Sequence, residues 1–317
     1  MMFNEDRFRY YINGNYIVLL GGNDKEYRSL RVDDKTFRSS FPDSIDLKIT
    51  NKCNFNCPYC HESSTSLGKT MDYDRTISVL SKLPFVGIEL AIGGGDVLEC
   101  WDETYKLLNW CKDKFLTRVT LNCKDFFYEN NKDKIKKLMQ LVGAIGISIN
   151  GDMSIDALKQ LQDDARFYCR VVYHVIVGVN PIQQILDLIY SKDMYNSFDI
   201  LVLGYKNWGR GKTYTPNFTD WSEEFKKFLF NCRISPREII THVGFDNLAI
   251  EQLGIKDSML KSEWKSMYMG DEFTHSMYID AVSETYGPTS RDPFRVSWKD
   301  MDVLEFFKQY RKEDEER

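Results

Sequence analysis

From residue 45 onward, short apolar runs alternate with longer amphipathic stretches, and no other feature of the chain limits its fold so strongly. Strands separated by a dozen or more residues of helical pattern cannot pair as hairpins. Each helix instead carries the chain back, so that the next strand lies parallel to the last. The candidate strands are 45–50, 87–92, 118–122, 144–149, 170–177 and 198–204, with helices at about 72–83, 101–115, 131–142, 154–166, 181–191 and 221–231. The first helix shows the reasoning: Ile77, Leu80 and Leu83 recur at helical spacing, Asp72, Asp74 and Arg75 lead the first turn, and Pro84 follows the last apolar residue. Six such units predict an α/β fold of partial (β/α)6 barrel type, since a closed barrel takes eight.

The flanking segments read differently. Between residues 8 and 32, aromatic and β-branched runs broken by Asn13-Gly14 and Gly21-Gly22-Asn23-Asp24 predict a hairpin or small sheet. That makes 1–43 an N-terminal β appendage and 44–232 the barrel. Beyond it lie a strand at 239–245, a helix near 248–254, an apolar strand at 276–282 and the charged tail RKEDEER, so 233–317 is assigned as a C-terminal extension capping the barrel. With 43% hydrophobic residues the chain can bury a sizeable core, and its net charge of −5 gives no general pull toward nucleic acid or anionic membrane. It lacks an apolar run of the roughly 20 residues that a membrane span needs. Its first residues, MMFNEDRFRYY, lack the apolar core of a signal peptide, so a cytoplasmic location is expected.

In such a reducing compartment clustered thiols hold metal more often than they form disulfides. Of eight cysteines, Cys100, Cys111, Cys123, Cys169 and Cys232 are scattered singly and read as small buried hydrophobes. Cys53, Cys57 and Cys60 stand together in CNFNCPYC, directly after the first strand. A cubane cluster has four irons, so a loop of three thiolates leaves one iron open to an exchangeable ligand. The competing reading is a zinc site of the three cysteines and His61, although the second ligand pair that structural zinc usually draws on is missing.

CNFNCPYC resembles the CxxxCxΦC signature of radical S-adenosylmethionine (SAM) enzymes, whose fold is a partial (β/α)6 barrel. The resemblance implies a [4Fe-4S] cluster on Cys53, Cys57 and Cys60, with SAM on the open iron and Tyr59 near its adenine. It implies reductive cleavage of SAM to methionine and a 5′-deoxyadenosyl radical that abstracts hydrogen from a substrate, with an external electron donor of flavodoxin or ferredoxin type. Such an enzyme is oxygen-sensitive. One βα unit later, Gly93-Gly94-Gly95-Asp96 resembles the Gly-Gly-Glu motif that binds the SAM amino group, with Asp96 where glutamate is usual. Either the backbone shifts to compensate or Gly94 and Gly95 make the contact alone; a tight strand-to-helix turn explains the run almost as well.

Other polar residues gather at strand ends, the site face of this architecture. Asn122, Ser148 and Asn150 look like the family's ribose and carboxylate contacts, or are turn formers. Lys206 or Arg210 can clamp the SAM carboxylate or an acidic substrate group, or belong to a solvated basic loop. His174 reads equally as a core histidine, and no catalytic acid or base stands out. No cysteine follows Cys232, so auxiliary clusters of the SPASM type are not expected; in this the chain resembles uncharacterised radical SAM proteins of gut bacteria and phages. Three functions remain open: hydrogen abstraction from a peptide or protein, modification of a nucleotide or tRNA base with Lys206, Arg210 and Lys212 as the basic cluster, and a non-catalytic metal-binding module.

Overall fold

The structure is a computed structural model that describes residues 8–21, 26–30, 38–149, 154–165, 167–190, 198–219, 221, 223–225, 227, 242–268 and 270–312. Six parallel strands follow one another in chain order: β4 (Ser44–Thr50), β5 (Ile88–Gly94), β6 (Phe115–Asn122), β7 (Ala144–Ser148), β8 (Arg170–Ile176) and β9 (Asp199–Leu203). Between them run α1 (Tyr73–Leu80), α2 (Trp101–Cys111), α3 (Lys132–Leu141), α4 (Ile155–Ala165) and α5 (Ile182–Tyr190). Asp72 caps α1 by accepting from the Arg75 amide, which stabilises such a start by about 1 kcal/mol. β6 begins three residues before the expected strand, because Asp113 takes φ 63° and turns the chain out of α2 early.

Two further strands join the parallel set. β10 (His242–Phe245) adds beside β9, and β11 (Ser276–Asp280) adds beside β4, in register Tyr278 to Asp46. The antiparallel strands β12 (Thr285–Gly287) and β13 (Val296–Ser297) complete a ten-stranded sheet with β10 and β13 at its edges. The described part of the C-terminal extension therefore widens the sheet at both ends.

Alternation along each strand sets the two faces. On β4, Ile45, Leu47 and Ile49 are buried with Leu80, Leu90, Leu107 and Leu138 in the core under the helices, each contributing roughly 1.5–3 kcal/mol. Asp46, Lys48 and Thr50 point to the opposite face, where Glu89 and Arg118 also stand. Residues of β4, β5 and β6 line one cavity with Gly244 of β10, six strands away, so the sheet curls to face itself. A second, three-stranded sheet of β1 (Phe8–Asn13), β2 (Tyr16–Gly21) and β3 (Glu26–Leu30) packs Tyr11, Tyr16, Val18 and Leu20 on Leu116. Its first turn needs glycine: Gly14 has φ 62°, and a Cβ there would fall 1.5 Å from the Arg38 carbonyl oxygen.

Candidate functional site

The cysteine loop leaves β4 at Thr50 and returns at Met71. Its base is two extended segments joined by backbone bonds: Asn51 N to Lys69 O (2.8 Å), Cys53 N to Thr65 O (2.9 Å), Thr65 N to Asn51 O (3.1 Å) and Met71 N to Ile49 O (2.8 Å). Cys53, Cys57 and Cys60 lie on the outgoing limb as free, half-buried thiols. Asn56, in the left-handed region at φ 49°, turns the chain into Cys57. Burial pushes the Cys53 thiol up to about 11 and raises Cys57 as well, so a metal must displace thiol protons to bind. Three thiolates with no fourth fit a cubane that keeps one iron open. Among the described residues no three Cys, His, Asp or Glu side chains, these thiols included, converge on one ion.

The glycine run lies against this loop. Gly95 N donates to Thr50 O and Asp96 N to Lys52 O, both at 2.7 Å. A Cβ on Gly94 would fall 2.4 Å from Thr50 O, and one on Gly95 2.3 Å from Lys52 O, whereas one on Gly93 would meet nothing within 4 Å. Gly94 and Gly95 are small because the loop's backbone touches them, before any ligand is considered. Asp96 is buried, and its Oδ1 accepts from the Leu98 amide at 2.9 Å. The shorter acid thus caps the turn that follows. Burial lifts Asp96 to about 6, and burial with the charge of Asp96 lifts Asp125 to about 8.

Asn122, Ser148 and His174 share one register row across β6, β7 and β8. The Asn122 side chain accepts from the Lys124 amide at 3.0 Å, as a turn former does. Asn150 lies outside the described residues. His174 occupies space left by Gly146, where a Cβ would fall 2.3 Å from the ring; burial, then Arg118, lower it to about 4, so it is neutral at pH 7.

The basic loop after β9 disperses its cations. Lys206 Nζ donates to Ser290 Oγ at 2.8 Å, and Lys212 stands over the Trp208 ring. Arg210 turns to the cysteine loop: Nε donates to Cys57 O and Nη1 to Ser64 O, both at 2.9 Å, and its amide to Cys60 O at 3.0 Å. Nε and Nη1 are thus engaged by carbonyls of the cysteine loop. Tyr59 sets its ring edge-on to Tyr214, with centroids 5.7 Å apart.

A charged network absent from the sequence reading adjoins the loop. Lys48 Nζ lies 2.5 Å from Glu62 and 3.2 Å from Asp280, with His61 3.4 Å from Glu62. Glu62 ionises at about 2 although burial opposes it. Burial depresses the His61 imidazole, so we assign the holding charge to Lys48. Its signal was the alternation Asp46, Lys48, Thr50 in a parallel strand, which marks a face that helices do not cover. Farther along that face opens a cavity of about 780 Å³. Asp46, Glu89, Asp246 and Glu272 line it with Arg118, Lys206 and Arg291. Arg118 pairs with Glu89 at 2.7 Å and Arg291 with Glu272 at 2.6 Å.

Residues 47–190 match the family model of the Radical SAM superfamily. The chain is 25% identical over 209 residues to an uncharacterized protein of Methanocaldococcus jannaschii, covering 58% of this chain and 68% of that one. It is similar in fold to SuiB of Streptococcus suis bound to S-adenosylmethionine, with TM-score 0.66 and 12% identity over 94% of this chain and 86% of that one. SuiB bound to the precursor peptide SuiA matches with TM-score 0.62 and 15% identity, over 85% of this chain and 65% of that one. Among the described residues no helix is long and apolar enough to cross a membrane.

Proposed function

The chain belongs to the radical SAM superfamily through residues 47–190, and from that premise we propose that it modifies a peptide or protein by abstracting a hydrogen atom. The superfamily's cofactors, a [4Fe-4S] cluster and SAM, supply methionine and a 5′-deoxyadenosyl radical when bound. Cys53, Cys57 and Cys60 are the residues that would hold the cluster. Tyr59, Asn122 and Ser148 are the residues we would assign to contacts with SAM, and an external reductant would supply the electron.

The observation that carries the substrate class is the cavity of about 780 Å³ that Asp46, Glu89 and Arg118 line with Lys206 and Asp246. Its volume suits one or two side chains of a larger substrate. Its lining includes six carboxylates, Asp43, Asp46, Glu89, Asp246, Asp271 and Glu272, against the cations Arg118, Lys206 and Arg291. That balance repels a phosphate backbone and accepts peptide amides and cationic side chains. The basic cluster that favoured a nucleic acid is dispersed, with Lys206 bonded to Ser290 and Arg210 to the cysteine loop. SuiB, solved with a precursor peptide, shares the fold and lends support by analogy.

The test is a deuterium-transfer assay. Reconstituted, reduced enzyme with SAM and peptides deuterated at Cα and side-chain carbons should yield deuterated 5′-deoxyadenosine. Transfer from a tRNA or nucleotide and from no peptide would reverse the assignment.

A further inference from the structure

The geometry points to Arg210 as a positioning residue for the cysteine loop: its side chain and amide together hold the Cys57–Ser64 backbone in the shape that presents three thiolates to one cluster. The inference rests on Cys53, Cys57 and Cys60 being the cluster ligands and is independent of the substrate.

Beyond its stapled base the loop has short local turns, Cys60 N to Cys57 O at 3.2 Å and Ser63 N to Cys60 O at 3.3 Å. Both accepting carbonyls belong to cysteines, and Arg210 adds a second bond to each: Nε to Cys57 O and the amide to Cys60 O. Nη1 reaches on to Ser64 O at the end of the limb. A planar guanidinium makes such bonds in fixed directions, which an ammonium on a flexible stem does not. The neighbours of Arg210 fit the same purpose. Gly209, at φ 54°, lies so close that a Cβ would fall 2.4 Å from His61 O and 2.6 Å from Ser63 Oγ. The segment is anchored at its other end, where Gly204 N donates to Asp246 Oδ1 at 2.9 Å and Tyr205 exchanges two bonds of 2.8 Å with the Gln252 amide. Residues 204–214 thus form a strap from the β10 edge of the sheet to the loop on β4.

Partners of metal ligands orient them and tune the metal. Without the Arg210 side chain the Cys57 and Ser64 carbonyls lose their external restraint, and the loop can relax while its base stays closed.

The test compares native protein, Arg210→Gln, Arg210→Lys and Gly209→Ala after anaerobic reconstitution with iron and sulfide. Arg210→Gln should lose iron to an excess of chelator about tenfold faster or more, with Arg210→Lys intermediate. The electron paramagnetic resonance spectrum of its reduced cluster, with and without SAM, should also change. Gly209→Ala keeps the guanidinium but pushes the strap away, and should behave like Arg210→Gln. Should Arg210→Gln fail to fold, Gly209→Ala and amide exchange in native protein decide, since the Arg210 amide should be protected. Equal iron retention and unchanged spectra in the variants would overturn the inference, as would free exchange of the Arg210 amide. A fall in SAM affinity alone would return Arg210 to a carboxylate clamp. Native protein that takes up no iron would remove the cluster ligands and this inference together, whereas absence of peptide turnover would leave it standing.

Discussion

The cysteine loop follows the end of β4 at Thr50, the charged cavity is lined from that strand by Ser44 and Asp46 nearer its start, and different bonds hold the two. Main-chain hydrogen bonds and glycine contacts close the base of the loop, Cys53 N to Thr65 O, Gly95 N to Thr50 O, Asp96 N to Lys52 O, with the Arg210 guanidinium and the Lys48–Glu62 pair farther out. The cavity is walled by ion pairs between side chains from distant segments, Glu89 with Arg118 and Glu272 with Arg291. Backbone restraint tolerates little change in the residues that make it. Paired side chains can be exchanged while the sheet beneath them stays, so a fold of this kind can keep its cofactor end constant and vary what it acts on.

The largest effect expected from this contrast belongs to the thiols. Cys57→Ala leaves two ligands on the loop and should abolish incorporation of about four irons per chain, as measured by iron and sulfide analysis. Circular dichroism should stay native, because Cys57 is half-buried and outside the hydrophobic core. Full iron retention in that variant would break the assignment of the loop.

Next in size is a pH effect beneath the loop. Asp125 is 1% exposed and lifted to about 8, first by burial and then by Asp96. A carboxyl raised in the folded state favours folding below its unfolded value near 4, and that advantage is lost as pH rises toward 8. Denaturation at constant ionic strength should therefore show stability falling between about pH 4 and 8 by an amount on the order of 2–4 kcal/mol. Asp125→Asn, which keeps an acceptor for the Asn122 amide, should flatten that fall. An unchanged slope would assign it to other groups, such as Glu89, which burial also raises.

A paired substitution then separates backbone contact from ligand contact. Gly95→Ala sets a Cβ 2.3 Å from Lys52 O and should cost roughly 1–3 kcal/mol and some iron, whereas Gly93→Ala, open for 4 Å, should stay within about 0.5 kcal/mol. Urea unfolding of the two variants measures the difference. Equal costs would mean that the run is small for some reason other than the loop.

These contrasts also explain what the sequence made legible. The strands β4 to β9 were visible because Ile45, Leu47 and Ile49, and their counterparts on each later strand, face one apolar layer, and Asp72 marked the start of α1. The segment 276–282 was recognised as a strand. Its parallel pairing with β4 was not, because no local pattern records a partner some 230 residues away. In the site, the cysteines and glycines carried their own spacing. Arg210 was singled out for its charge, but its partners are carbonyls, which have no side-chain signature. The acidic lining of the cavity was not legible, because Asp46, Glu89, Arg118, Asp246 and Arg291 meet only in three dimensions.

The smallest effect tests the cavity side of the comparison. Arg118 and Glu89 pair at 2.7 Å with side chains 33% and 17% exposed, so water screens part of their attraction. Removing one partner of a fully buried pair costs 3–5 kcal/mol; here about 1 kcal/mol is expected from Arg118→Met, because Glu89 can stay partly hydrated or take up a proton. Protonation is the easier route, since burial already raises Glu89 and Arg118 is the main influence holding it down. The loss should therefore shrink as pH falls toward 5 in urea titrations of native and variant protein. Iron content should not change, because no bond runs from Arg118 to the cysteine loop among the described residues, while substrate-dependent deuterium transfer should fall. If Arg118→Met instead cost as much iron as Gly95→Ala, the two regions would be one mechanical unit, and the division between a backbone-held cofactor end and a side-chain-held substrate end would fail.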